Sequence, residues 1–288
     1  MYRTLYQTAL LTLILSPAAI AATQITIEAD TAAFQTQVIS EGEIRVEASY
    51  EPIDYDQLDE NSQNLRYQIY YNDKPEINAG TLTDRSGGIT LQDLDQDGVA
   101  EVIVDSFSGG AHSCTSFAIY HWQDDQFKVA ELNMLNGRGG TFKDLEGDGT
   151  IELVSYDNSF LYAFSSYAGS SPPSLIFNLR NGELVDSTRQ YPDELRAVAW
   201  QMYQKVQEVE QNEGEMNGVL AGYVAQKILL GEFEEGWNFM MAHYDRNSDW
   251  GLDHYEDGEM VGRYPDFPTA LKALLINRHY LNAAGQPD

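Results

Sequence analysis

The chain has 288 residues, a formal net charge of −28 and a single cysteine. That much negative charge repels nucleic acid phosphates and anionic lipid surfaces and favours cations, and one cysteine excludes an intrachain disulfide, which leaves core packing or bound ions to stabilise the fold. At 43% apolar and 11% aromatic residues, the chain is too rich in core formers to be disordered and is long enough for one or two domains.

The opening MYRTLYQTALLTLILSPAAIAATQ carries one basic residue, Arg3, an apolar run from Ala9 to Ile20, and the small-residue triplet Ala19-Ile20-Ala21 behind Pro17. This pattern predicts a secretory signal peptide over residues 1–21, cleaved before Ala22. The alternative, a membrane anchor, requires roughly 18 to 20 apolar residues, more than this run supplies, and no comparable stretch follows. A secreted or periplasmic chain with no membrane span is expected. Cys114 lies too far from the cleavage site to carry a lipid.

From about Gln24 to Tyr191 short runs such as EIRVEASYE, LRYQIYYND, EVIVDSF, SFAIYHW and SLIFNL cluster β-branched and aromatic residues at strand length. The turn signals NDKP, QDDQ and Asn181-Gly182 fall between them, so residues 22–190 are expected to form an antiparallel all-β domain. After Tyr191-Pro192-Asp193 the period changes. Leu195, Val198, Ala199, Met202, Val206 and Val209 recur at helical spacing, as do Met216, Val219, Leu220, Tyr223 and Val224, and later Phe267, Ala270, Leu271, Leu274 and Leu275. With a further helix marked by Phe233, Trp237 and Met240, residues 191–288 read as a helical domain of about four helices. The apolar stripes are read as core rather than as a cofactor box. The fold class is therefore α+β and multi-domain.

Two acidic turns repeat. DLDQDGVAEVIV, from Asp93 to Val104, lines up with DLEGDGTIELVS, from Asp144 to Ser155, at a period of about 50 residues that suggests stacked β-units of propeller-blade type. A third copy is absent, so a closed ring is not expected. Calcium takes six to eight oxygens at about 2.3 to 2.6 Å. Carboxylates at positions one, three and five of a tight loop can converge, glycine at six permits the sharp turn, residue seven offers its carbonyl, and a carboxylate at nine closes the shell. Asp93, Asp95, Asp97, Gly98, Val99 and Glu101 fill those places. In the second copy Asp144, Glu146, Asp148, Thr150 and Glu152 do so, with Glu146 one methylene longer than the pattern wants. The competing reading is an acidic hairpin turn, since Asp and Gly are ordinary turn residues.

These residues resemble the loops of FG-GAP or VCBS-type repeats, the calcium-binding blades of integrin-like β-propellers and of many bacterial secreted proteins. The likeness covers about residues 86–160, two repeats where a closed propeller needs at least four. It implies a calcium-stabilised β scaffold used for extracellular binding, and no catalytic residue.

A third acidic run, DRNSDWGLDHYE, is similar to an EF-hand loop, with Asp245, Asn247, Asp249, Asp253 and Glu256 at positions one, three, five, nine and twelve. Trp250 stands where glycine is wanted, and Asp257-Gly258 with Pro265 spoils the exiting helix. His112 and Cys114 sit two apart on a candidate strand and would share a face, as a Cys–His nucleophile pair would, or as a packed thiol beside a loop histidine. The leading expectation is a non-enzymatic, calcium-binding protein whose β scaffold serves to bind a protein or surface glycan. The alternative is a calcium-dependent hydrolase of polysaccharide or peptide. The 18 tyrosines and 4 tryptophans would suit sugar faces under either reading, and equally suit a core.

Overall fold

The computed structural model describes residues 23–59, 61–110, 115–212 and 214–287; the segment read as a signal peptide and the pair His112 and Cys114 lie outside them. Strand β1 (Gln24–Glu28) is followed by three antiparallel meanders. The first is β2 (Phe34–Glu41), β3 (Ile44–Tyr50), β4 (Leu65–Tyr71) and β5 (Lys74–Thr81). The second is β6 (Ser86–Gln92), β7 (Glu101–Phe107), β8 (Thr115–Gln123) and β9 (Gln126–Leu135), with β1 added beside β6. The third is β10 (Thr141–Lys143), β11 (Glu152–Tyr156), β12 (Ser174–Arg180) and β13 (Glu183–Asp186). The three sheets remain separate, and no closed propeller forms among the described residues.

The middle sheet is covered on both faces. Val102 and Val104 of β7 pack with Ile44, Val46, Leu65 and Ile69 of the first sheet, while Ile103 joins Phe117, Ile119, Leu153 and Leu179 on the side of the third. A strand buried on both faces has no polar side to show, which is why Val102-Ile103-Val104 is an unbroken apolar run whereas β3 alternates buried and half-buried residues. The hairpin turns follow their local chemistry. Asn72-Asp73, Asp124-Asp125 and Asn181-Gly182 all hold positive φ at both central residues, as a tight turn matched to strand twist requires.

Pro192 begins helix α1 (Pro192–Gln211), followed by α2 (Met216–Leu229), α3 (Phe233–His243) and, after a hairpin of β14 (Asp253–Glu256) and β15 (Glu259–Arg263), by α4 (Phe267–Asn277). Helix α2 departs from the amphipathic expectation, for nearly every residue from Met216 to Ile228 is buried. The reason is the chain between β11 and β12, which covers the face that α1, α3 and α4 leave open. Gly218 and Gly222 allow that approach: a Cβ at Gly222 would stand 1.6 Å from the Ser171 carbonyl oxygen. Gln226, fully buried, then ties the halves together by accepting the Ser174 N–H at 2.9 Å and donating to the Leu195 carbonyl at 3.0 Å. No helix among the described residues is long and apolar enough to cross a membrane.

Because the obstacle at Gly222 is backbone rather than a mobile side-chain tip, Gly222→Ala should destabilise the chain by about 2 kcal/mol or more, toward the upper end of overpacking costs. Urea unfolding against the parent chain checks this, with Ala221→Gly, which removes a methyl and adds no clash, expected to cost less.

Candidate metal centre

The first acidic turn joins β6 to β7 at one end of the middle sheet. Its backbone is wrapped around its own carboxylates: Asp93 accepts the N–H groups of Gln96 at 2.7 Å and Gly98 at 3.0 Å, and Asp97 that of Val99 at 2.8 Å. Asp95 accepts the N–H of Asp97 at 3.3 Å. Gly98 takes a φ of +89°, the conformation for which glycine was expected at position six.

Glu101, the first residue of β7, is sealed from solvent at 0% exposure. One of its oxygens accepts the Leu94 N–H at 2.7 Å, and the other lies 3.0 Å from Nδ1 of His121, itself 3% exposed. The same histidine nitrogen is 4.0 Å from Asp95. Burial raises the Glu101 carboxyl above the ordinary Glu range, against the pull of its hydrogen bonds to His121 and Leu94. Burial, and after it the charge of Asp97, likewise pushes the Asp95 carboxyl up. Both shifts record chiefly the cost of taking a carboxylate out of water, with repulsion from a neighbouring aspartate added to it, a cost that a bound cation would relieve.

Two sets of three donor atoms converge within 4.8 Å here: Asp93, Asp95 and Glu101, all oxygen, and Asp95, Asp97 and His121, which adds a nitrogen. The oxygen set suits a hard cation such as calcium, and the imidazole widens the choice to transition metals. Val99, the expected carbonyl donor at position seven, follows directly after Gly98.

The second turn, between β10 and β11, has the same plan with different partners. Asp144 accepts from Gly147, Asp148 and Gly149 at 2.6, 3.1 and 3.0 Å, and Asp148 from Thr150 at 2.9 Å. Although desolvation opposes it, these backbone donors to Asp144 hold its carboxyl below the usual Asp range. Glu152 repeats Glu101, accepting the Leu145 N–H at 2.9 Å. Its other oxygen takes Asn178 Nδ2 and the Tyr191 hydroxyl, each at 3.0 Å, where the first turn has histidine. Glu146 is exposed where Asp95 is half-buried, and no trio of acids converges in this turn. The two turns touch, through Ile151 N–H on the Leu94 carbonyl and Gln96 on Thr150, both at 2.9 Å.

The third acidic run is placed differently. Asp253 and Glu256 lie in β14, turned back by Asp257-Gly258 at φ +49° and +83°, so a hairpin stands where an EF-hand has its second helix. Arg263 of β15 reaches Asp249 at 3.2 Å and Asp253 at 3.4 Å. Asn247 donates its N–H to Asp245 at 2.8 Å, and the Asp245 backbone is clasped by Asn217. No trio of acids converges among the described residues of this run.

His121, Asn178 and Tyr191 were not singled out from sequence. One signal was available for His121: it occupies the inward phase of β8, after Thr115, Phe117 and Ile119, where a polar side chain needs a buried partner.

The family model of the sll0997 C-terminal domain matches residues 195–279, within the helical part. Over 206 residues, 68% of this chain and 61% of the relative, the chain is 36% identical to a probable thylakoid lumen protein, sll0997, of Synechocystis sp.. Over 194 residues, 63% of this chain and 30% of the relative, it is 34% identical to an uncharacterized protein, y4bJ, of Sinorhizobium fredii. The matched segment thus spans less than two thirds of the length of each. No solved structure matches the chain.

Removing the buried carboxylate takes from the Leu94 N–H and from His121 Nδ1 the acceptor each is bonded to, so Glu101→Ala should lower the unfolding free energy by about 2 to 4 kcal/mol in chelator. Glu101→Gln, which keeps an acceptor for Leu94, should cost clearly less. Urea denaturation of the three chains measures both.

Proposed function

We propose that this chain is a translocated, non-enzymatic protein of a lumenal or periplasmic space. In this reading a divalent cation, calcium by preference, stabilises the β part, and the protein serves to bind a protein or glycan partner. The convergence of Asp93, Asp95 and Glu101 within 4.8 Å on a turn of calcium-loop register is the observation on which the reading rests. The likeness of that turn to FG-GAP or VCBS-type repeats supports a role for the ion in the scaffold. Translocation is supported by the signal-like first 21 residues, with cleavage near Ala21, and by the printed name of the Synechocystis relative, a probable thylakoid lumen protein.

A binding rather than hydrolytic role is favoured by burial. Glu101 and His121, the hydrogen-bonded acid–imidazole pair at the site, are almost wholly enclosed and offer almost no surface to a polymeric substrate. The first turn, with Asp93, Asp95, Asp97, the Val99 carbonyl and Glu101, is the primary site in this reading. The second, with Asp144, Glu146, Asp148, the Thr150 carbonyl and Glu152, is weaker, because its acids do not converge. The run from Asp245 to Glu256 is the weakest of the three, with two of its acids facing Arg263.

Thermal melting in chelator and in millimolar calcium tests the reading. Ion at one hundred times the dissociation constant adds about 2.7 kcal/mol per site, so the midpoint should rise by several degrees. Asp93→Asn should remove most of that rise, Asp144→Asn less, and Asp245→Asn none. An unchanged midpoint in the parent chain would overturn it, and a rise with manganese or zinc but not calcium would reassign the ion to the histidine-containing set.

A further inference from the structure

We propose that the groove between α1, α2 and α3 binds the ring of a neutral sugar. The proposal rests on the partner-binding part of the reading above and is independent of the acidic turns. The groove holds about 490 Å³, within the roughly 300 to 1,000 Å³ that small-ligand sites occupy. Helix α1 buries Leu195, Ala199, Met202 and Val206 in the core. Trp200 lies off that stripe and is 59% exposed, so the fold makes little use of its ring. It is not solitary. Trp200 stacks on Tyr203 with centroids 5.4 Å apart and planes 17° from parallel, Tyr203 meets Phe239 at 5.4 Å, and Phe239 meets Tyr223 at 5.1 Å. The result is one aromatic wall open to solvent at the Trp200 end.

Charge decides which ligand suits that wall. In a chain of net charge −28, the charged side chains lining this groove are already partnered: Lys227 with Glu232 and Glu235, and Arg196 with Asp193 at 2.9 Å. The Lys227 ammonium, its side chain 8% exposed, is held by Glu232 and by Glu235 at 2.9 Å. An ionic ligand would unbalance this set. An apolar side chain from a protein would cover charged groups with nothing to bond them, a burial that is costly. A sugar ring avoids both costs, because each hydroxyl both donates and accepts and can bridge ammonium and carboxylate, while the C–H face of the ring lies on the exposed ring of Trp200.

The test uses the full chain labelled with ¹⁵N, following the indole N–H cross-peak of Trp200, identified by its absence in Trp200→Phe. The probes are maltose, cellobiose, lactose and chitobiose, with galacturonate as an anionic control and N-acetyl-leucinamide as an apolar protein-like one. At least one neutral disaccharide should move the peak saturably. By calorimetry, Trp200→Ala should bind that sugar about tenfold more weakly, a loss of about 1.4 kcal/mol, with its melting curve unchanged, and Trp200→Phe should retain most of the affinity. No response to any neutral sugar, a response to galacturonate or N-acetyl-leucinamide alone, or an affinity indifferent to Trp200→Ala would overturn the proposal. Each titration is run in calcium and in chelator. A sugar response in both, from a chain whose melting ignores calcium, would remove the cation reading and leave this one standing.

Discussion

A carboxylate taken out of water must have both oxygens bonded, because an unpaired buried charge costs several kcal/mol. Glu101 and Glu152 impose that condition at the foot of each acidic turn. Each meets half of it with the N–H of the leucine that follows the turn's first aspartate, Leu94 or Leu145. That single bond crosses the loop and fixes its width, so the remaining backbone donors fold back on Asp93 or Asp144. The other half is met from the neighbouring strand, at the position directly across the ladder. Val102 pairs with Tyr120 and Leu153 with Phe177, which puts Glu101 opposite His121 and Glu152 opposite Asn178.

The difference between those partners separates the two turns chemically. His121 carries a nitrogen that can serve a metal or a proton, and with Asp95 and Asp97 it makes a mixed donor set. Asn178 cannot take that part, and the Tyr191 hydroxyl bonds both it and Glu152. Tyr191 is also the residue from which α1 starts. The second turn therefore spends its buried acid on fastening the helices to the third sheet, while the first keeps its acids facing one another. This is a structural reason, beyond the longer reach of Glu146, for ranking the first turn ahead.

What sequence makes legible here is local. Turn pairs such as Asn181-Gly182 carry their backbone conformation in their own residue types, and the change from strand to helical period after Tyr191 follows from side chains one turn apart. The repeated acidic motif is visible for the same reason. The first meander escaped notice as a third unit because Gly42-Glu43 connects β2 and β3 where the others have the long turn, so the architecture repeats three times and the motif twice. His121, Asn178 and Tyr191 escaped because their partners are set by ladder register and helix placement, which no spacing along the chain encodes. The run from Asp245 to Glu256 shows the converse, since its acids keep an EF-hand spacing while Asp257-Gly258 and the strand chemistry of EMVGR send the chain back as a hairpin.

Charge is distributed in the same divided way. The acids that converge do so on a turn of the β part, whereas the groove on the helices is balanced by Lys227, the one lysine of α2, set between Glu232 and Glu235. A buried lysine held by two carboxylates is poor material for raising stability, since desolvation takes back much of what the ion pairs give. It fixes donors and acceptors beside the exposed Trp200 ring, with Lys227 already paired to its two carboxylates. The two sites thus differ in their electrostatics: the first acidic turn brings like charges together, whereas the charged groups at the groove are paired with opposite ones. Gln226 and Tyr191, both bonded across the junction, hold the helices carrying the groove to the sheet that borders the first turn.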